Sequence, residues 1–433
     1  MASQNRARLV ALAALSLVAG SATGLLAAVF RLALVRADRL RDAAVAWLQP
    51  HGGLGLIATV LLCALTAGVA AWLVRRYSPH AAGSGIPHVE SQLSGNWSGS
   101  PLRIMLVKFF GGLLAIGGGL ALGREGPTVQ MGATLSVLVG KLARRGDDDC
   151  KALLAAGAGA GLATAFNAPI AGSVFVLEEL VRRFDLPITI AALGASAGAI
   201  GIARYIVGQD PDFRVAHMAY PGLGTLPVHF VLGLALGVVG VLYNRAILGA
   251  LRATAGLRRV ASEYRAAVIG AAVGVLAWIA PGLVGGGDAI TQRMLGGTVT
   301  VFGLGFLAVF LVRFLLGAVS YAARTPGGLF APMLVIGAQG GLFIGSLSSG
   351  WFPSAGADPA EYAVVGMAAL FTAVVRAPLT GIILAIELTG SFTLLLPMLS
   401  ACFAAMVVAT FAGEPPIYES LRWDPKTGAT SAP

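Results

Sequence analysis

The sequence predicts an all-α integral membrane protein made of two related halves, and three observations carry that prediction. Only 12% of the 433 residues are charged and 57% are hydrophobic, whereas a soluble domain carries about 25% charged residues. Too little polar surface remains to face water. Seven apolar stretches are each long enough to cross roughly 30 Å of hydrocarbon at about 1.5 Å per residue. A stretch in the second half also repeats one in the first, in order and without a gap.

In chain order the long stretches are 10–35, 54–73, 187–207, 226–250, 266–284, 298–320 and 394–413. The first follows Arg6 and Arg8, as a secretory signal would, but it outruns the roughly 7–15 residues of a signal core and is expected to stay as a helix. Between them lie segments expected to be too short or too broken to span. These are 109–122, interrupted by five glycines, then 128–139, 329–344 and 364–375. Irregular backbone at bilayer depth is tolerated only inside protein or beside a wet cavity, so the breaks should line a pathway.

The net charge of +10, from 30 basic and 20 acidic residues, would suggest nucleic acid as a partner for a soluble protein. Here the cations sit at segment ends and read as topology signals, with no nucleic-acid partner implied. Arg182 and Arg183 close one segment, and Arg252, Arg258, Arg259 and Arg265 follow another. The loop between carries Asp210, Pro211, Asp212 and Pro221 against Arg214 alone. The positive-inside rule puts both arginine clusters, Arg6 and Arg8, and Lys141, Arg144 and Arg145 in the cytoplasm. The expected division is a cytoplasmic N-terminus 1–9, a first half 10–207, an extracellular or periplasmic linker 208–225, a second half 226–425 and a tail 426–433. The protein is expected in the inner (plasma) membrane, multi-pass, with both termini cytoplasmic.

The repeat aligns 157–180 with 366–389, pairing Gly157 with Gly366, Ala160 with Ala369, Ala168 with Ala377, Pro169 with Pro378, Gly172 with Gly381 and Glu178 with Glu387. A second match precedes it: Pro127, Gly132 and Ala133 against Pro332, Gly337 and Ala338. The alternative is that Gly/Ala-rich membrane helices resemble one another by composition. In transporters built from repeats, broken helices from both halves aim their ends at a substrate near the midplane.

Three breaks are candidates for that role: GSGIP at 83–87, GREGP at 123–127 and GGLFAP at 327–332. Each pairs glycines with a proline, which suits the first turn of a helix. Free N–H groups and the positive dipole end at such a start bind an anion without a buried cation. Moderate binding is what conduction needs. Ser84 adds a hydroxyl, and Leu329 and Phe330 add amides. A plain flexible loop is the competing reading for Gly83, Ser84 and Gly85.

Glu125 places a carboxylate where an anion should bind, so it can occupy that position and leave when protonated or displaced. An ionisable group inside the membrane is a functional candidate by default; the alternative is an Arg124–Glu125 ion pair capping the helix. Glu178, which recurs as Glu387, reads as a helix-end acid bonded to Arg182 and Arg183. Glu179 has Leu388 as its counterpart and reads as an unpaired acid at the cytoplasmic edge. Gly194 and Gly198 form a small-residue face suited to close packing, against a second copy or within the subunit. Asp147 to Asp149 read as a solvated N-cap cluster, and His88 and Glu90 as cytoplasmic residues without a role. Cys63, Cys150 and Cys402 are scattered, as are the five histidines. No disulfide, metal site or cofactor is indicated, and an enzyme using Glu178, Glu179 or His88 finds no supporting motif.

GSGIP, GREGP and GGLFAP in this order, with FNAPIAG and FVLEEL, RAPLTGIILAIELTG and Tyr418 in PIY, closely resemble the CLC family of chloride channels and chloride/proton antiporters over about residues 10–425. The resemblance implies a CLC-type fold of two antiparallel inverted repeats in a homodimer, each subunit with its own pathway. Ser84 and Tyr418 would give hydroxyls, and Leu329 and Phe330 amides, to the central anion. Glu125 would be the outer gating and proton-accepting glutamate, and Glu179 the inner proton-transfer glutamate. Gly83, Gly85, Pro87, Gly123, Arg124, Gly126 and Pro127 would support the site. An acid at 179 favours antiport over a passive voltage- or pH-gated chloride channel of the same fold. Ser84 points to chloride, with bromide and nitrate carried too. Many eukaryotic relatives append cytoplasmic nucleotide-binding (CBS) modules; with fifteen residues after Tyr418, a prokaryotic type without them is expected.

Overall fold

The computed structural model describes every residue except 1, 216, 217, 219, 258, 298–303, 352–357, 425–428 and 431–433. Arg258, the first residues of the predicted 298–320 span and most of the 426–433 tail therefore lie outside the described residues. What is described is overwhelmingly helical, with one two-residue strand pair near the end of the chain.

The first half comprises α1 (Ala2–Leu48), α2 (Gly52–Tyr77), α3 (Ile86–Leu93), α4 (Pro101–Gly117), α5 (Glu125–Leu142), α6 (Asp147–Phe166), α7 (Pro169–Phe175) and α8 (Leu186–Val207). The second half comprises α9 (Leu226–Gly256), α10 (Ser262–Ile279), α11 (Asp288–Leu295), α12 (Leu304–Ala322), α13 (Phe330–Trp351), α14 (Pro359–Val375), α15 (Pro378–Thr389), α16 (Leu395–Phe411) and α17 (Ile417–Ser420). Proline occupies the first turn of α3, α4, α7, α8, α9, α14 and α15, where its missing N–H costs no hydrogen bond.

Among the described residues six helical stretches are long and apolar enough to cross a membrane. Two segments change class relative to the expectation. α13 runs 22 residues and is long enough to cross, because its Gly- and Ser-containing end continues the helix past residue 344. α16 has 17 residues, fewer than the predicted 394–413.

Burial separates two classes of helix. α12 buries little of its surface and exposes Leu304, Leu307, Leu311 and Leu315, as α2 exposes Leu61 and Leu65. α6 and α14 are instead buried along nearly their whole length. A helix apolar all round belongs in such an interior, while apolar side chains on the outer ring face lipid.

Equivalent residues of the two matching segments make equivalent contacts. Gly132 of α5 lies against Gly157 of α6, and Gly337 of α13 lies against Gly366 of α14, so closely that a Cβ at any of the four would strike the facing backbone. The αL residues that end α6 and α14, Asn167 (φ 52°) and Arg376 (φ 69°), hold equivalent positions. The carboxylate of Glu178 accepts from the first amides of α15, Leu379 at 3.0 Å and Thr380 at 2.7 Å. That of Glu387 accepts from the first amides of α7, Ile170 at 3.1 Å and Ala171 at 2.7 Å. The end of each helix thus caps the start of the other, and α7 and α15 run antiparallel. Such matched geometry is more than composition supplies. It also corrects the reading of Glu178, whose hydrogen bonds go to α15 and not to Arg182 or Arg183.

The small-residue face of α8 packs inside the subunit. Gly194 lies against Ser16, and Gly198 against Leu17 and Ser21, all on α1. Of the acidic cluster, Asp147 and Asp148 are exposed in the first turn of α6 as expected, whereas Asp149 differs. The N-cap is Gly146, and Asp149 is buried, accepting from Arg8 at 2.7 Å and from Arg145 at 2.9 Å. Two of the predicted cytoplasmic arginines therefore meet at one end of the bundle.

Candidate functional site

The three breaks open three helices, α3, α5 and α13, as their glycine and proline content predicts. They also meet. Gly83 N–H donates to Thr325 O (3.1 Å) and Gly327 N–H to Gly83 O (3.0 Å), while Gly123 and Gly328 exchange both backbone hydrogen bonds at 2.9 and 2.7 Å. Gly126 sits where these strands cross. A Cβ there would come within 2.9 Å of the Cα atoms of both Ser84 and Gly328, so only glycine lets the backbones approach. Gly85 (φ 83°) precedes Pro87 in the first turn of α3, and Pro127 lies in the first turn of α5.

Glu125, the first residue of α5, is fully buried. Its Oε1 accepts from Phe330 N–H, the first amide of α13, at 2.7 Å. Its carboxylate therefore stands where the free amides of α13 would receive an anion. Oε2 of Glu125, Ser84 Oγ and Tyr418 Oη are all buried without a hydrogen bond of full geometry, the Ser84 and Tyr418 hydroxyls lying within reach of each other. Unpaired buried polar atoms are rare in a packed interior. Three gathered at one site fit a polar guest, and two are hydroxyls able to donate to an anion.

Phe330 is rigidly held. Its ring lies 4.7 Å from that of Phe371, 5.8 Å from Phe175, 6.0 Å from Tyr418 and 6.2 Å from Phe166, which fixes the amide that meets Glu125. Leu329, just before it, is buried. α17 carries Tyr418 into this cluster.

Arg124 forms no pair with Glu125. Its guanidinium reaches away, to Asp212 at 2.6 Å, Asp288 at 3.3 Å and Ala165 O at 2.9 Å. The carboxylate is left to the α13 amide.

Glu179 lies on a five-residue π-helical turn, Val176–Leu180, that extends α7. Such turns are rare and recur at functional sites. The added residue turns Glu178 toward α15 and Glu179 inward, where it is 3% exposed. Arg182 lies 3.7 Å from its Oε1, too far for a hydrogen bond, and that oxygen has no other partner. Glu179 is thus near a cation, and not isolated as its sequence context suggested. A cavity of 410 Å³ lined by Glu178, Glu179, Arg182 and Arg376 opens beside it.

Several members of the site escaped the sequence reading. Lys108 on α4 is fully buried and donates to Ala81 O (3.1 Å) and Gly83 O (2.7 Å). The expectation was an anion site without a buried cation, and the structure places a lysine side chain behind the first break, bonded to its carbonyls. A lysine inside an apolar helix was the available signal. Tyr321 Oη accepts from Ser84 N–H at 3.3 Å. His88 and Glu90, expected only to face the cytoplasm, are buried and hydrogen-bonded. His88 Nδ1 lies 3.0 Å from Gln130 Nε2, and Glu90 accepts from Arg422 at 3.1 Å. Nothing local in the sequence marks Tyr321 or Arg422, because their partners are more than 200 residues away.

A profile of the voltage gated chloride channel family matches residues 63–410, which contain all three breaks. The chain belongs to that family. Among its CLC relatives, the H(+)/Cl(-) exchange transporter ClcA of Vibrio cholerae is 38% identical over 417 residues, covering 94% of this chain and 88% of that one. The ClcA of Cronobacter sakazakii is 36% identical over 423 residues, covering 94% and 88%. The crystal structure of a slow cyanobacterial Cl-/H+ antiporter superposes with a TM-score of 0.90 at 33% identity, covering 94% of this chain and 96% of that one. The CLC fold and membrane location of the chain follow.

Proposed function

We propose that this protein is a secondary transporter that exchanges chloride for protons, with Glu125 and chloride contending for one position. The observation that carries the reading is the 2.7 Å hydrogen bond from Phe330 N–H to a fully buried Glu125 carboxylate. Chloride takes the Phe330 amide from the carboxylate and is held by the Ser84 and Tyr418 hydroxyls and the Leu329 and Phe330 backbone. The freed carboxylate accepts a proton at the outer end and, once neutral, gives up its claim to the anion position. The proton passes to Glu179 and leaves through the adjoining cavity. Because one site serves both the carboxylate and the anion, neither ion completes a cycle without the other.

In this reading the protein sits in the inner (plasma) membrane with both termini cytoplasmic, in two inverted halves, 10–207 and 226–425, joined by an outer linker at 208–225. It works as a homodimer in lipid, whose interface cannot use the Gly194 and Gly198 face already occupied by α1. Bromide and nitrate are carried as chloride is. Reconstitution in liposomes tests the reading: an imposed chloride gradient should drive protons uphill. Chloride flux with no proton movement would leave a passive channel on the same fold.

A further inference from the structure

The backbone after α8 folds back over the bundle beside Arg124. Phe213 N–H donates to Leu388 O at 3.0 Å, Asn167 Nδ2 donates to Asp210 O at 2.9 Å, and Arg214 and Gln292 exchange hydrogen bonds at 2.9 and 2.8 Å. These ties set Asp212 between two guanidiniums, Arg31 Nη2 at 2.5 Å and Arg124 Nη2 at 2.6 Å. The Asp212 carboxylate is 5% exposed and the arginines 17% and 15%. The next acid, Asp288, is 55% exposed at 3.3 Å from Arg124. A polar cavity of 450 Å³ adjoins the bridge, lined in part by Arg31, Asn167, Asp212 and Gln292.

We propose that Arg31 and Arg124 form an outer anion station, and that Asp212 is its built-in occupant, displaced by a halide or small oxyanion on its way to Glu125. Two guanidiniums converging on one carboxylate, each through one terminal nitrogen, define a cationic position that another small anion can occupy by charge and hydrogen bonding. With Asp212 gone, two cations would face one half-exposed acid and would hold a captured anion tightly. A resident carboxylate turns capture into exchange, and binding weak enough to release is what throughput requires. Arg124 is the residue before Glu125 in the chain, so an anion passing from this station to Glu125 would meet two competing carboxylates in series. This inference rests on the chloride reading proposed above.

Isotopic chloride exchange in liposomes with equal chloride on both sides tests it without regard to protein orientation. Asp212→Asn should lower the half-saturating chloride concentration about fivefold, the scale of removing one charge-assisted competitor. Adding Arg31→Gln to that variant should raise it again. If Asp212 merely fastens the linker, Asp212→Asn will leave half-saturation unchanged or raise it, and the inference is overturned. Asp212→Ser provides the same reading should the asparagine variant fail to fold. Absence of exchange by the unmodified protein would instead sink the proposed function, a distinct result.

Discussion

The two halves of the molecule share a scaffold and differ in chemistry. Glu178 and Glu387 occupy equivalent positions and perform the same task, each capping the helix of the other half at 2.7–3.1 Å. One residue further, the first half has Glu179 and the second Leu388. At the breaks, counting from Pro127 and Pro332, Glu125 and Phe330 are counterparts, so the carboxylate of one half is bonded by the amide of its own equivalent. Acids that both halves keep hold the fold. The two acids assigned to transport, Glu125 and Glu179, have no acid as counterpart, and each keeps a buried carboxylate oxygen without a hydrogen-bond partner.

The sharpest way to break this comparison is at Glu125. Glu125→Gln should lower proton flux about 100-fold or more, the scale of a lost proton-transfer group, while chloride still passes. Retained coupling in a liposome assay would end the competition reading. Glu179→Gln should cost proton flux to a comparable degree while chloride flux persists, because the inner acid acts only on protons. A parallel loss of both ions would make Glu179 structural like its neighbour.

The paired caps set the next test. Glu178→Gln and Glu387→Gln should each lower stability by about 1.5–3 kcal/mol, the range for hydrogen bonds to a charged group, without changing the ratio of ions exchanged. Thermal unfolding in detergent and a stoichiometry measurement decide it. If only Glu178→Gln uncouples the ions, the equivalence of the caps is lost. The smallest effect is expected from Tyr418→Phe, which removes one of several donors. Chloride binding, measured by calorimetry, should weaken by about 0.5–1.5 kcal/mol.

Much of this was legible in the sequence because it is local. Helix starts at GSGIP, GREGP and GGLFAP follow from where proline and glycine are tolerated, and membrane residence follows from the scarcity of charge. The repeat was legible too, since gapless matches of glycine and proline survive where other side chains diverge. Pairing partners were not. Glu178 stands four residues from Arg182 yet bonds to an amide 201 positions away, and Arg124 adjoins Glu125 yet reaches Asp212. Proximity in sequence favoured the wrong partner for Glu178 and offered one as the alternative for Glu125, because carboxylates bond wherever donors converge and helix starts present several at once.

The sequence by itself therefore determined the membrane setting, the helix starts and the family, all of which depend on composition and on short runs of backbone-constraining residues. Only the tertiary structure decided which buried polar groups are satisfied and which are left over. It brings Ser84, Glu125, Phe330 and Tyr418 from four separate segments to one point, stations Lys108 behind them, and uses a π-helical turn to part Glu178 from Glu179. The physical reason is burial, since a polar group in low dielectric must find its partner or remain unpaired at a cost, and the packing of distant segments settles which of these happens.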